Sequence, residues 1–143
     1  MGRVSVFNLI VARTAKIWDA ETGKVKETLS GHTYATAVLT LANGITITGS
    51  QDKMIRLWYN GKQEKEFQGH EDIVRDFTEV PGLGFASCSN DEMVKIWSLD
   101  GDLIMELKGH QGFVFSVSTL ESGEIISASD DRTVRVWKDG VCK

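Results

Sequence analysis

The sequence predicts an all-β chain built from four-stranded propeller blades, on three observations. Histidine occurs three times, always after glycine, in Gly31-His32, Gly69-His70 and Gly109-His110. Tryptophan occurs four times, each time closing a short strand-like run, at Trp18, Trp58, Trp97 and Trp137. The tryptophans are separated by 40, 39 and 40 residues and the histidines by 38 and 40. A beat near forty, with Gly-His early and Trp late, marks one small four-stranded sheet per repeat. An Asp also stands six residues before Trp in three repeats, at Asp52, Asp91 and Asp131. Helical periodicity is absent, so nearly all regular structure should be strand.

Alternation and turn residues place the strands in order. In the first segment Trp18-Asp19 and the run over 24–29 fit the third and fourth strands of a blade (c and d). Ala12 stands where the Asp would fall and no Gly-His precedes it, so at most three strands are expected there. The second segment has strand a over 37–41, b over 45–50, c over 54–58 and d over 63–67. Its turns are Asn43-Gly44, Gln51-Asp52-Lys53 and Asn60-Gly61. Asn-Gly is a strong hairpin signal because it supplies two residues that accept positive φ. The third segment has strands over 74–80, 85–89, 93–97 and 103–107. Pro81 sits in its first turn, where no ladder hydrogen bond is lost. The last has strands over 114–120, 124–129 and 133–137, then an Asp139-Gly140 turn without a full strand d. The blade parts are therefore 1–30, 31–68, 69–108 and 109–143 of one partial domain over 1–143. They hold three, four, four and three strands, fourteen in all.

A closed propeller uses four to eight blades of four strands. Fourteen strands cannot close such a ring. An arc of a longer ring is the preferred reading. Two chains, with twenty-eight strands or about seven blades, are the alternative.

Composition narrows the function classes. With 16 basic and 20 acidic residues the net charge is −4, so no basic field collects nucleic acid through counterion release. The two cysteines, Cys88 and Cys142, fit a reducing compartment better than a disulfide framework. Cys88 reads as a small buried apolar residue. The apolar run over 4–12 is too short for a signal core and is broken by Asn8. Met1-Gly2 lacks the Ser or Thr at position six that myristoylation wants, having Val6. No stretch is long enough to span a bilayer. The chain reads as soluble, cytoplasmic with the nucleus as a second compartment, and without membrane contact.

Each complete repeat holds His, Ser and Asp: His32, Ser50, Asp52; His70, Ser89, Asp91; His110, Ser129, Asp131. These are the residue types of a serine-hydrolase triad. A triad is needed once, whereas this set recurs with a Trp in phase, and no G-x-S-x-G elbow is present. The hydrolase remains the alternative of another class. The expectation is a non-enzyme with no cofactor and no metal. No P-loop or G-x-G-x-x-G cradle occurs, and two isolated cysteines cannot make a zinc site.

The Gly-His, the Ser/Thr-rich strand, the Asp and the Trp together resemble the WD40-repeat β-propeller family, from about Arg13 to Trp137. The resemblance makes this about three and a half WD40 blades. It implies that Asp, His, a strand-b hydroxyl and Trp form a buried hydrogen-bonded tetrad. The expected sets are Asp52, His32, Ser50, Trp58; Asp91, His70, Ser89, Trp97; and Asp131, His110, Ser129, Trp137. Thr48 is an alternative to Ser50 on the same strand face. The resemblance also implies a partner-binding rim three and five residues after each His and just before each Asp. Those positions are Ala35, Ala37 and Gln51; Ile73, Arg75 and Asn90; Phe113, Phe115 and Asp130. Phe113 and Phe115 beside Arg75 have the composition of an interface hot spot.

Three longer phrases point to a subfamily: residues 81–91 (PGLGFASCSND), 109–117 (GHQGFVFSV) and 131–140 (DRTVRVWKDG). They are similar to the propeller of phospholipase-A2-activating protein and its fungal ubiquitin-binding relatives. That similarity implies a scaffold of a ubiquitin-dependent degradation adaptor, with ubiquitin as first partner. It also implies recruitment of the AAA ATPase valosin-containing protein by domains that do not lie in these 143 residues. Strand spacing alone implies only a scaffold or substrate receptor for some protein or peptide.

Overall fold

The computed structural model describes residues 4–7, as backbone strand, and residues 13–143. The readings placed on Met1-Gly2 and on Ala12 lie outside the described residues. Fifteen strands form four antiparallel sheets and no helix is present among the described residues. Blade one has three strands: β1 (Val4–Phe7), β2 (Thr14–Asp19) and β3 (Val25–Ser30). Blade two has β4 (Ala35–Thr40), β5 (Thr46–Ser50), β6 (Met54–Tyr59) and β7 (Lys62–Gln68). Blade three has β8 (Val74–Val80), β9 (Gly84–Ser89), β10 (Val94–Trp97) and β11 (Leu103–Leu107). Blade four has β12 (Val114–Thr119), β13 (Ile125–Ser129), β14 (Val134–Lys138) and a two-residue β15 (Val141–Cys142). The fourteen strands expected are thus fifteen. The Asp139-Gly140 turn does start a fourth strand, because both residues take positive φ (50° and 81°) and reverse the chain tightly.

The turns divide by backbone chemistry. Asn60-Gly61 has positive φ at both residues (48° and 75°), as a two-residue hairpin of right-handed twist requires. Asn43-Gly44 does not follow that expectation, since positive φ is confined to Gly44. There Gly44 N–H bonds Leu41 C=O and Leu41 N–H bonds Ile45 C=O, which makes a three-residue loop ending in a glycine bulge.

The first strands of the complete blades, β4, β8 and β12, lie side by side, and β1 takes the neighbouring place in the incomplete one. Cores form between blades rather than within them, because a lone four-stranded sheet is only one layer thick. Ala15, Ile17 and Leu29 of blade one meet Trp58 of blade two. Ile47, Ile55 and Leu57 of blade two meet Val74, Phe77, Phe85 and Trp97 of blade three. Val80, Ala86, Val94 and Ile96 of blade three meet Val114, Val117, Ile125 and Trp137 of blade four. Phe85 is fully buried in the core between blades two and three, and its burial contributes about 1.5–3 kcal/mol. Gly49 makes one of these contacts possible: a Cβ there would lie 2.6 Å from Val74 Cγ1 and 2.8 Å from Phe77 Cζ. Cys88 is buried and burial pushes its thiol well above the ordinary value.

Candidate functional site

Two polar constellations recur in phase, one buried and one on the rim. The buried one is a four-membered relay. In blade three His70 Nδ1 lies 2.8 Å from Asp91 Oδ2, His70 Nε2 lies 2.6 Å from Ser87 Oγ, and Trp97 Nε1 donates to Ser87 Oγ at 2.8 Å. In blade four His110 has the corresponding distances of 2.8 Å to Asp131 and 2.7 Å to Ser127, with Trp137 2.8 Å from Ser127. In blade two they are 3.2 Å to Asp52, 2.6 Å to Thr48 and 2.8 Å for Trp58 to Thr48. In blades three and four proton counting fixes the direction. The indole can only donate, so the hydroxyl oxygen accepts from it and gives its own proton to His Nε2; Nδ1–H then donates to the carboxylate.

The hydroxyl is therefore Thr48, Ser87 and Ser127, not Ser50, Ser89 and Ser129. Positions ten and eight before each Trp all carry hydroxyls and share one strand face, so sequence phase could not separate them. Register does. Trp58 stands opposite Thr46, Trp97 opposite Phe85 and Trp137 opposite Ile125. The indole reaches the diagonal neighbour two residues on, and no further. Ser50, Ser89 and Ser129 instead accept the backbone N–H of Asp52, Asp91 and Asp131 at 3.2, 3.1 and 3.1 Å, holding the turn that aims each carboxylate. The same carboxylates accept from Met54, Met93 and Thr133 N–H at 2.9, 3.0 and 2.9 Å.

Burial alone would raise the Asp91 carboxyl, but the His70 ring and the N–H groups of Glu71 and Met93 outweigh it and hold it below the ordinary value. At Asp52 burial is likewise outweighed, by Met54 N–H, Arg56 and His32. The Thr133 hydroxyl is the largest cause lowering Asp131. Blade two differs in one respect. Arg56 Nη1 reaches both Asp52 Oδ2 at 3.0 Å and His32 Nδ1, while Arg56 Nε donates to Glu66 at 2.6 Å. Burial first, then the Arg56 charge, push His32 below its ordinary value. Thr48 and Ser87 have no solvent exposure and Ser127 almost none. A buried hydroxyl with both partners satisfied is fixed in place, so these sets pin strands.

The rim constellation sits at the N-terminal end of strand a, next to the His–Asp pair of each relay. Backbone bonds define its equivalent positions: Gln51 N–H to Tyr34 C=O, Asn90 N–H to Ile73 C=O and Asp130 N–H to Phe113 C=O. Strand a then bulges in phase in all three complete blades, placing Thr36, Arg75 and Phe115 at the bulge. Bulges re-aim a side chain out of the pleat. The rim of blade two is thus Tyr34, Thr36 and Gln51, and Ala35 and Ala37 are buried core residues. Counting from His32 slips by one because His32 is 20 residues from Asp52, whereas the other two pairs are 21 apart. A one-residue slip turns every side chain to the opposite face. Counting back from the Asp would have found Tyr34.

Ile73 and Arg75 are half-buried, Asn90 is buried, and Gln51 and Asp130 are exposed. Phe113 and Phe115 are 44% and 46% exposed, far more than an apolar core position allows. Their rings pack edge to face, centroids 6.4 Å apart. The Arg75 guanidinium lies 5.9 Å from the Phe115 ring centroid, and Nε donates to Asn90 Oδ1 at 2.7 Å. Asn90 therefore locks Arg75 over Phe115. Such a pre-set cationic and aromatic cluster lowers the ordering cost of binding. A groove also lies elsewhere, lined by Ile45, Leu57, Tyr59 and Leu99. No group of three or more His, Cys, Asp or Glu poised for a metal occurs among the described residues.

A family profile described as "WD domain, G-beta repeat" matches residues 23–59, 61–98 and 101–138. The chain belongs to the WD40 family. Its fold is a partial WD40 propeller. It superposes on the WD40 β-propeller domain of Doa1 with a TM-score of 0.90 at 34% identity, covering 98% of this chain and 49% of that one. Ubiquitin homeostasis protein lub1 of Schizosaccharomyces pombe is 44% identical over 82 residues, 57% of this chain and 11% of that protein. Nuclear distribution protein PAC1 of Arthroderma benhamiae is 32% identical over 142 residues, 87% of this chain and 31% of that protein. The chain spans from about a tenth to a half of these proteins. WD40 propellers are typically non-enzymatic scaffolds for protein partners.

Proposed function

We propose that this chain is the ubiquitin-binding part of a WD40 scaffold in a ubiquitin-dependent degradation adaptor. The observation that carries the reading is the Arg75–Phe115–Phe113 cluster held on the rim by Asn90. Its apolar rings and single cation suit a small apolar patch on a folded protein. The 44% identity to a protein named for ubiquitin homeostasis supports ubiquitin as that protein. A degradation adaptor of this kind works in the cytoplasm, with the nucleus as a second compartment. Its engagement of an AAA ATPase is assigned to segments other than these residues. The test is titration of isotope-labelled ubiquitin with the chain. Ubiquitin resonances should shift with the unaltered chain. They should not shift with a folded Phe115→Ala or Arg75→Glu variant. Binding that survives both rim changes rejects the assignment.

A second reading is a scaffold for a different peptide. The broader coverage of the PAC1 alignment, 87% of this chain, favours it. Under that reading the rim variants leave ubiquitin resonances unaffected because the unaltered chain never shifts them.

A further inference from the structure

Strand d bulges in phase in blades one, two and three. Between the partners of the last two strand-c residues, one strand-d residue has no ladder partner: Lys26 in blade one, Glu64 in blade two and Ile104 in blade three. A bulge re-aims its residue out of the pleat, and all three are exposed, Ile104 at 42%. A charge on an outer strand keeps other strands from pairing with it. Blades one and two carry that charge at the bulge, whereas blade three carries a branched apolar residue. Leu103, opposite Trp97, is also 46% exposed, where blade two has Gln63 opposite Trp58. β7 is charged along most of its length, whereas Glu106 is the single charge of β11.

The surroundings of β11 are in place. β10 pairs along its inner side, and the blade-four turn packs on Met105, since a Cβ at Gly140 would lie 2.7 Å from its Sδ. β11 is the outermost strand of a complete four-stranded sheet, at the opposite side from β8, which carries Arg75. The exposed Leu103-Ile104 pair therefore belongs to the outer edge of blade three and is separate from the rim cluster. The charges at the two ends of the strand select an occupant. Asp100 and Asp102 precede it and Lys108 follows it, and the Asp100 and Lys108 side chains are 85% and 71% exposed. Asp100 lies 3.3 Å from Lys65 and Lys108 lies 2.9 Å from Glu106, surface pairs that hold weakly. A second β11 laid antiparallel brings the acidic end of each strand to the basic end of the other, and its apolar middle meets its counterpart. A parallel copy would set acid against acid.

We propose that the outer edge of β11 pairs antiparallel with β11 of a second copy of this chain. Backbone hydrogen bonds join the two edges, as in other cases of strand addition. Leu103 and Ile104 of each copy are covered by the other, and the Asp102 end of each meets the Lys108 end of its partner. One strand per copy is a small interface, so the pairing is weak.

The probe is a synthetic peptide reproducing residues 101–108, GDLIMELK. Added at about 1 mM, the weak end of specific recognition, it should shift the amide resonances of residues 103–107 in the isotope-labelled chain. A peptide with Ile104→Lys, the residue type that blade one has at this place, should shift none of them. Because that change is on the peptide, the fold of the chain is not at stake. The same resonances should move when the labelled chain alone is concentrated to about 1 mM, and stay still in a labelled chain carrying Ile104→Lys. No shift with the unaltered peptide, or equal shifts with both peptides, overturns the proposal. Peptide shifts without movement on concentrating the chain overturn it too, by assigning the edge to a different polypeptide.

Discussion

Replacing Ser87 by alanine removes one oxygen from the middle of blade three. That oxygen accepts from Trp97 Nε1 at 2.8 Å and donates to His70 Nε2 at 2.6 Å. Ser87 is fully buried, His70 is 1% exposed and Trp97 5%, so neither orphaned nitrogen can turn to water. Each buried group left without a partner costs about 1–3 kcal/mol, so Ser87→Ala, which orphans two, should destabilise by roughly 2–6 kcal/mol. That is a large part of the ~5–15 kcal/mol that holds an ordinary domain together. Ser89→Ala, two residues away and equally buried, removes only the 3.1 Å acceptor of Asp91 N–H and should cost about 0.5–1.5 kcal/mol. Urea unfolding followed by tryptophan fluorescence measures both midpoints. Equal losses, or the larger loss at Ser89, would refute the relay geometry and restore the hydroxyl chosen by sequence phase alone.

The other expectations follow the same physics. Trp97→Ala should cost about 3–5 kcal/mol, read from the same urea midpoints, because it empties a large core volume and strands Ser87. Gly49→Ala should destabilise by about 1–3 kcal/mol through overpacking against Val74 and Phe77, whose atoms lie 2.6 and 2.8 Å from the added carbon. Thermal melts of that variant should show a lowered midpoint with unchanged strand content by circular dichroism. Stability should also fall with acid. His32 is lowered from 6.5, so its contribution is full above that value and is lost as the ring protonates below it. Asp52 and Asp91 are lowered from 3.8, so theirs is lost as pH falls below that value toward their folded values. Asp76 works the other way, since burial raises it despite the N–H groups of Val117 and Phe77. Its contribution is present at low pH and lost as pH rises through its folded value. Urea midpoints measured from pH 7 downward should decline through both windows; a flat profile contradicts these assignments. Phe115→Ala should change the urea midpoint by less than about 0.5 kcal/mol, because the ring is half exposed and sits at a bulge.

Sequence phase showed what kind of thing each repeat is. The Gly-His, Asp and Trp spacing gave four sheets, their order along the chain and most strand limits, because a period near forty allows one hairpin pair per repeat and little else. Phase failed where two candidates share it. Thr48 and Ser50 are both hydroxyls on one strand face, and only the pairing of Trp58 with Thr46 says which one the indole meets. It failed again where loop length drifts, so that Ala35 and Ala37 stood in for Tyr34 and Thr36.

By itself, then, the sequence determined repeat, sheet and the residues able to form a relay or a rim. Cross-strand register, the bulge that turns Phe115 outward and the lock of Asn90 on Arg75 belong to the tertiary structure. The physical reason is that these depend on which atoms from distant strands come within a few ångströms of one another. A linear spacing records the face a residue occupies, but the distance across to a neighbouring strand exists only once the sheets have paired and stacked.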